Sequence, residues 1–267
     1  MRNVLVLATV ALTLSACGGS SVGAGPSAGG GTPVPGPVGA AANTVAGQVL
    51  DERGAPVADA RIIIEPAMFR GTFFAFTNAQ GRYQSVPLNT QTAPYYATAF
   101  KEVTYNGRHY CVRMAPNSRS DAEAFNPANG AVRSFTWKMT GDTGEEGDAV
   151  WGGTVAFNNL INATEDQMVD WDATVEVKFV PDGPLIDGST GKTVIKTGTL
   201  RGGVRDIPVG RYTVSAMLVD GPSKTPLKIA THDADALTTT ETSLMFNGFD
   251  TCGHSGTFSS TPLWVSR

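Results

Sequence analysis

The side chains that could do chemistry are few, and their spacing limits what that chemistry is. Three histidines, His109, His232 and His254, stand far apart in the chain. "THDADAL" sets His232 near Asp233 and Asp235, an imidazole with two carboxylates, which is a donor set able to hold a divalent metal. No H-x-x-E or H-E-x-x-H spacing occurs, so no zinc-peptidase ligand set is present. "CGHSG" sets His254 near Cys252 and beside Ser255, as a base beside a nucleophile would be in a hydrolase. Such a serine normally sits on a strained Gly-x-Ser-x-Gly turn, and "GHSG" lacks it. Carboxylates flank Trp171 as Asp170 and Asp172, and others gather at Glu145, Glu146 and Asp148. Carboxylate oxygens suit calcium, but neither group follows the EF-hand spacing, and solvated loop charge is the expected role. In a strand-like segment Asp170 and Asp172 would share one face opposite Trp171, and glycoside hydrolysis would need two such acids astride a cleft. Tyr95, Tyr96, Tyr105, Tyr110, Trp151 and Trp171 offer rings either for stacking on carbohydrate or for filling a core. The expectation is no catalytic residue, no metal ligand and no cofactor.

The elements that would position these groups are β-strands. Of 267 residues, 41% are hydrophobic and only 16% charged, with 31 glycines and 16 prolines to turn the chain often. That mixture points to an all-β protein of short strands. The net charge of −4 comes with no run of lysine or arginine, which excludes the concentrated basic face that a nucleic-acid binder needs. From Thr44, β-rich runs alternate with turn residues: "TVAGQVL" and "ARIII" around a turn at 51–54, then "FFAFT" and "GRYQ" around Asn78 and Gly81. "YYATAFKEVTY" and "RHYCVRM" read as paired strands joined by Asn106-Gly107. "AVRSFTWKMTG" closes this half, and the polar stretch 141–148 is a natural boundary. Beyond it, "TVEVKFVP" and "RYTVSAMLVD" put Val175, Val177 and Phe179, and Tyr212, Val214, Ala216 and Leu218, each on one face. Thr164 and Gln167 are spaced as a capping box, which allows a helix of at most two turns at 164–171.

The N-terminus has the layout of an export signal, with Arg2 followed by an apolar run from Val4 to Leu14 that is too short to span a membrane. "LSAC", ending at Cys17, resembles the bacterial lipobox: an aliphatic residue, two small ones, then cysteine. The resemblance implies a lipoprotein signal peptide over 1–16, lipidation of Cys17, and attachment to a membrane through that lipid, several acyl chains on one residue giving a stable anchor. Gly18 in the following position favours the outer membrane or the cell surface over inner-membrane retention. Residues 17–43, rich in Gly, Ser and Pro, read as a disordered tether with a mean span of about 25–30 Å.

Gly47, Val49, Asp51, Gly54, Pro56, Val57 and Ala60, then Thr77, Asn78, Gly81 and Tyr83, make up G-x-V-x-D-x-x-G-x-P-V-x-x-A followed by T-[DN]-x-x-G-x-[YF]. The pattern resembles the carboxypeptidase regulatory-like, transthyretin-like β-sandwich domain. The resemblance implies a first sandwich over 44–141 that acts as an accessory module without catalytic residues. Residues 149–267 carry the same β texture and read as a second sandwich-like domain, with one large domain spanning both halves as the alternative. Cys111 and Cys252 form an even pair in an exported chain, and either bond in one disulfide or stay as buried thiols. The expected function is a lipid-anchored, non-catalytic binding or structural module of the bacterial cell envelope, with a protein or polysaccharide partner. The alternative is a secreted hydrolase whose site lies near His232 or His254.

Overall fold

The computed structural model describes residues 39–145, 149–234 and 236–267. Cys17, the expected signal peptide and most of the expected tether lie outside the described residues, as do Glu146, Asp148 and Asp235. In chain order the strands of the first half are β1 (Val45–Asp51), β2 (Arg61–Pro66), β3 (Phe73–Phe76), β4 (Arg82–Gln84), β5 (Tyr95–Tyr105), β6 (Arg108–Arg113), β7 (Ala115–Pro116), β8 (Ala131–Val132) and β9 (Phe135–Trp137). Those of the second half are β10 (Gly153–Asn159), β11 (Thr174–Pro181), β12 (Val194–Thr199), β13 (Val204–Ile207), β14 (Arg211–Asp220), β15 (Ser223–Ala230), β16 (Glu241–Met245) and β17 (Thr261–Ser266). The fold is all-β, as the composition implies.

Two sheets make up the first half. One runs β4-β1-β9-β7, with β8 also on β1, and the other runs β3-β2-β5-β6. Val45, Val49 and Tyr83 of the first share a buried core with Ile62, Ile64, Ala97 and Ala99 of the second. The quoted motif residues hold the turns between these strands. The Asp51 carboxylate accepts the amides of Arg53 and Ala55, at 2.9 and 2.8 Å, closing the turn in which Gly54 takes a φ of 82°. Burial alone would raise the Asp51 carboxyl, but those amides and the Arg53 guanidinium outweigh it and hold the group below its ordinary value. The Thr77 hydroxyl donates to the Val57 carbonyl and accepts the Ala60 amide, each at 2.7 Å. Gly81 has a φ of 69°, and a Cβ there would collide with the Val49 carbonyl, so only glycine closes this turn without strain. The Asn106-Gly107 signal gives the expected two-residue hairpin between β5 and β6, both residues lying at positive φ.

The second half is one eight-stranded sheet, ordered β12-β11-β14-β15-β17-β10-β13, with β16 beside β14. Ten-residue β14 pairs with β11 along one side, and on the other with β16 and then β15. β12 and β13, at opposite ends of the order, come into contact across a short turn, so the sheet curls until its two ends meet. Phe179, Tyr212 and Phe246 meet edge to face inside the curl, and Tyr212, Val214 and Ala216 are buried on the face that the alternation assigns them. The 164–171 segment departs from a helix. Gln167 does accept the Thr164 amide, at 3.0 Å, but the chain makes one turn and moves on. Asp170 and Asp172 sit in a further turn rather than a strand, since Asp170 accepts the Asp172 amide and Asp172 pairs with Arg201. The shared face expected of a strand-like segment therefore does not form. The described residues gather in one compact unit, and its apolar core runs through both halves.

Candidate functional site

Strand alternation divides the β3-β2-β5-β6 sheet into a core face and an outer face. Phe73 and Ala75, Ile62 and Ile64, Tyr95, Ala97 and Ala99, and Tyr110 and Val112 point to the core. The opposite parity therefore puts Phe74 and Phe76 on the outer face beside Ile63 and Arg61, and Tyr96, Thr98 and Phe100 next to them across β2. Phe74, Phe76 and Tyr96 are 53%, 58% and 46% exposed, and in the loop after β2 Met68 and Phe69 reach 80% and 55%. Scattered exposed apolar residues are ordinary, but here five lie together on one sheet face and its adjoining loop.

A concavity of about 410 Å³ opens on this face, with Ile63, Phe74 and Phe100 among its lining and the loop 252–255 along one side. That loop is fastened across the edge of β6. Cys111 and Cys252 are joined by a disulfide, with Cα atoms 5.3 Å apart, which is within the range such a bond requires. The Cys111 amide donates to the Phe249 carbonyl at 2.7 Å, so the outer edge of β6 is covered by the chain's own later segment. His254 lies between two carbonyl oxygens, its Nε2 2.8 Å from Cys111 O and its Nδ1 2.8 Å from Gly256 O. Its ring stacks on Phe249 at 4.0 Å and meets Phe100 edge-on.

Four of the remaining polar side chains around the concavity, Arg61, Glu65, Thr72 and Arg113, are also paired within the protein. Arg61 forms an ion pair with Glu102 and lies over the Phe76 ring. Arg113 donates to Ser255 O and pairs with Glu145 at 2.6 Å, while Thr72 donates to Glu65 at 3.1 Å. The face thus offers rings and methylenes, and its charged groups are already engaged.

Of the residues singled out from the sequence, Cys111, Cys252, His254 and Ser255 come together in this latch. Both His254 nitrogens face carbonyl oxygens rather than the Ser255 hydroxyl, so the base-to-nucleophile hydrogen bond of a hydrolase is not formed. His109 is exposed on β6, and His232 and Asp233 lie exposed on a separate loop. Among the described residues no group of three or more His, Cys, Asp or Glu is arranged to hold a metal ion. Of the six aromatics, Tyr96 belongs to the outer face and Trp171 is exposed elsewhere, while Tyr95, Tyr105, Tyr110 and Trp151 are buried. Tyr105 and Tyr110 lie at the seam between the halves. The Tyr105 hydroxyl donates to Pro184 O and accepts the Arg211 amide, each at 2.8 Å, and the Tyr110 hydroxyl donates to Phe246 O at 3.0 Å. Burial pushes the Tyr110 phenol above its ordinary value. Sequence reasoning missed Phe74 and Phe76. The available signal was "FFAF", a strand apolar at both parities beside a sheet with only one buried face.

No protein-family model matches the chain, and no curated protein matches its sequence. Three solved structures are loosely similar. The Bacillus anthracis TIE protein aligns at 10% identity over 84% of this chain and 34% of its own, with a TM-score of 0.35. A streptococcal ancillary pilin aligns at 11% identity over 82% of this chain and 62% of its own, with a TM-score of 0.24. The shaft pilin SpaA of Lactobacillus rhamnosus GG, in a variant form, aligns at 11% identity over 84% and 97%, with a TM-score of 0.20. The chain spans about a third of the length of the first of these. Likenesses this loose carry neither function nor partner across.

Proposed function

We propose that the chain is a non-catalytic binding module of the bacterial cell envelope, anchored by lipid on Cys17, and that it contacts a protein through the outer face of the β3-β2-β5-β6 sheet. The observation that carries this reading is the exposed set Met68, Phe69, Phe74, Phe76 and Tyr96 on and beside one sheet. Of the two partner classes expected from the sequence, a protein suits this face better than a polysaccharide. Sugar recognition combines ring stacking with free, fixed hydrogen-bonding groups, and here Arg61, Glu65, Arg113 and His254 are all engaged internally. A protein surface can cover the rings with its own apolar side chains and leave those pairs undisturbed. The lipobox-like "LSAC" and the Gly/Ser/Pro-rich stretch after it support the anchored location.

Binding of the purified protein to isolated envelope proteins and to envelope polysaccharides tests the reading, with Phe74→Ser/Phe76→Ser as the comparison. Protein binding that the double variant loses is the expected result. Binding to polysaccharide alone, or binding indifferent to both substitutions, would overturn it. Metabolic labelling with a fatty acid, lost in Cys17→Ser, tests the anchor.

A further inference from the structure

We infer that a slot between β16 and β17 binds one carboxylate-bearing sugar unit, with Arg108 on the carboxylate and hydroxyl and carboxamide side chains on the sugar hydroxyls. The slot is separate from the outer face of the β3-β2-β5-β6 sheet, and the inference goes beyond the protein-binding reading of that face. β16 pairs with β14 alone and β17 with β15 and β10, so no ladder joins β16 to β17. Asn247 reaches across instead, its backbone amide donating to the Thr261 hydroxyl oxygen at 2.8 Å and its side-chain amide to Ser260 O at 3.5 Å. A concavity of about 250 Å³ opens here, and Arg108 flanks it from the first half. The Asn106-Gly107 turn starts β6 directly before Arg108. Arg108 shares strand parity with the inward-pointing Tyr110 and Val112, which aims its side chain at the second half.

The groups around the concavity match such a ligand. Arg108, Thr231, Ser243, Asn247 and Thr261 are its polar lining, Met245 and Pro262 its apolar lining, and no carboxylate is among them. Arg53, Arg61, Arg113, Arg201 and Arg211 each pair with an acid of this chain, whereas Arg108 forms no ion pair among the described residues. Arg108 does interact with the Tyr110 phenol, which donates its own proton to Phe246 O. That contact steadies the guanidinium and leaves most of its five N–H donors unused. The Thr231 and Ser243 hydroxyls make no hydrogen bond among the described residues. Thr261 is only 4% exposed, and its oxygen accepts the Asn247 amide, but no described group accepts its proton. A buried donor left over in this way is one that a ligand oxygen would satisfy. A guanidinium only donates and a carboxylate only accepts, so the two suit one another. Hydroxyls and a carboxamide both donate and accept, as sugar hydroxyls do, while Met245 and Pro262 offer the C–H face of a ring an apolar bed. The volume falls below the roughly 300–1,000 Å³ of pockets for larger ligands, so the slot takes a single unit.

Titration with galacturonate, followed by nuclear magnetic resonance on the chain from residue 17 onward carrying Cys17→Ser, tests the inference. The expected result is saturable binding with a Kd of about 1 mM, as suits so small a ligand, with shifts at the Arg108, Ser243 and Asn247 amides. The methyl ester of galacturonate keeps the ring and loses the charge. The ester on wild type, and galacturonate on Arg108→Gln, should each bind about 10- to 100-fold more weakly, and Ser243→Ala about 3- to 10-fold. Arg108 is exposed, so Arg108→Gln should keep the wild-type Tm, and Arg108→Lys, which keeps the charge without the planar fork, should recover part of the binding. No saturation by about 50 mM galacturonate overturns the inference, as do shifts that map away from the slot. Equal binding of the ester removes the role of Arg108, and equal binding of inorganic phosphate removes the sugar; either overturns it too. Phe74→Ser/Phe76→Ser should bind galacturonate as wild type does, and Arg108→Gln should bind envelope proteins as wild type does, so either reading can fail while the other stands.

Discussion

Removing the Cys111–Cys252 bond gives the sharpest test of how the two halves are held together. The cysteines are 141 residues apart, and closing a loop of that length lowers the entropy of the unfolded chain by the equivalent of about 5 kcal/mol at 25 °C. A folded unit of roughly 230 residues unfolds with about 0.5 kcal/mol/K of entropy near 60 °C, so the corresponding fall in Tm is about 10 °C. Cys111→Ala, Cys252→Ala and the double variant should all show that fall, because the first substitution already breaks the bond and the second has nothing further to break. Differential scanning calorimetry gives the three Tm values, and thiol titration of the native protein gives the cysteine state. Hydrogen exchange should localise the loss, with the Cys111 amide, which donates to Phe249 O, losing protection first. A fall of less than about 3 °C, additive single effects, or two titratable thiols besides Cys17 would refute the reasoning.

Three further outcomes are expected. Tyr105→Phe removes the acceptor of the Arg211 amide and the donor to Pro184 O, and should cost about 1–3 kcal/mol in chemical denaturation; a smaller loss would mean that the seam is not held there. Because the Asp51 carboxyl is held low in the folded state, it contributes stability above the unfolded carboxylate value near pH 4 and loses it as pH falls through the folded value. Asp51→Asn should therefore be less stable than wild type at neutral pH, with the gap closing in acid, as urea midpoints at several pH values would check. Burial raises the phenols of Tyr83, Tyr110 and Tyr212, so the stability they contribute is intact below about pH 10 and declines above it. In an ultraviolet titration these three phenols should ionise only together with unfolding.

Local chemistry made much of the fold legible. Asn106-Gly107 names its own hairpin because both residues must take positive φ, and the alternation of Tyr212, Val214 and Ala216 names a buried face. Asp51, Gly54, Thr77 and Gly81 could be read as turn residues because each acts on backbone within a few positions or across one hairpin. What could not be read depends on distant chain. The curl of the second sheet follows from β17 pairing with β10, more than a hundred residues earlier, and no local pattern encodes such a pairing. Asp170 and Asp172 would share a face only in a strand-like segment, and side chain-to-backbone bonding turns the chain there instead. The exposed rings of the outer face were missed for a related reason. Exposed Phe74 and buried Phe73 are the same residue type, and only the register with Ile63 and Ile64 tells them apart.

β17 lies between β15 and β10 at the heart of the second sheet, although it is made after every other strand described. An emerging polypeptide can therefore pair the strands of the first half early, while the second half has to wait with a gap in its sheet between β15 and β10. Cys111 waits as well, already seated on β6 for the whole interval before its partner sulfur is synthesised. A chain delivered amino end first will pass through a stage in which one half is finished, one thiol is exposed to whatever oxidant is nearby, and a row of unmatched amides awaits the final segment.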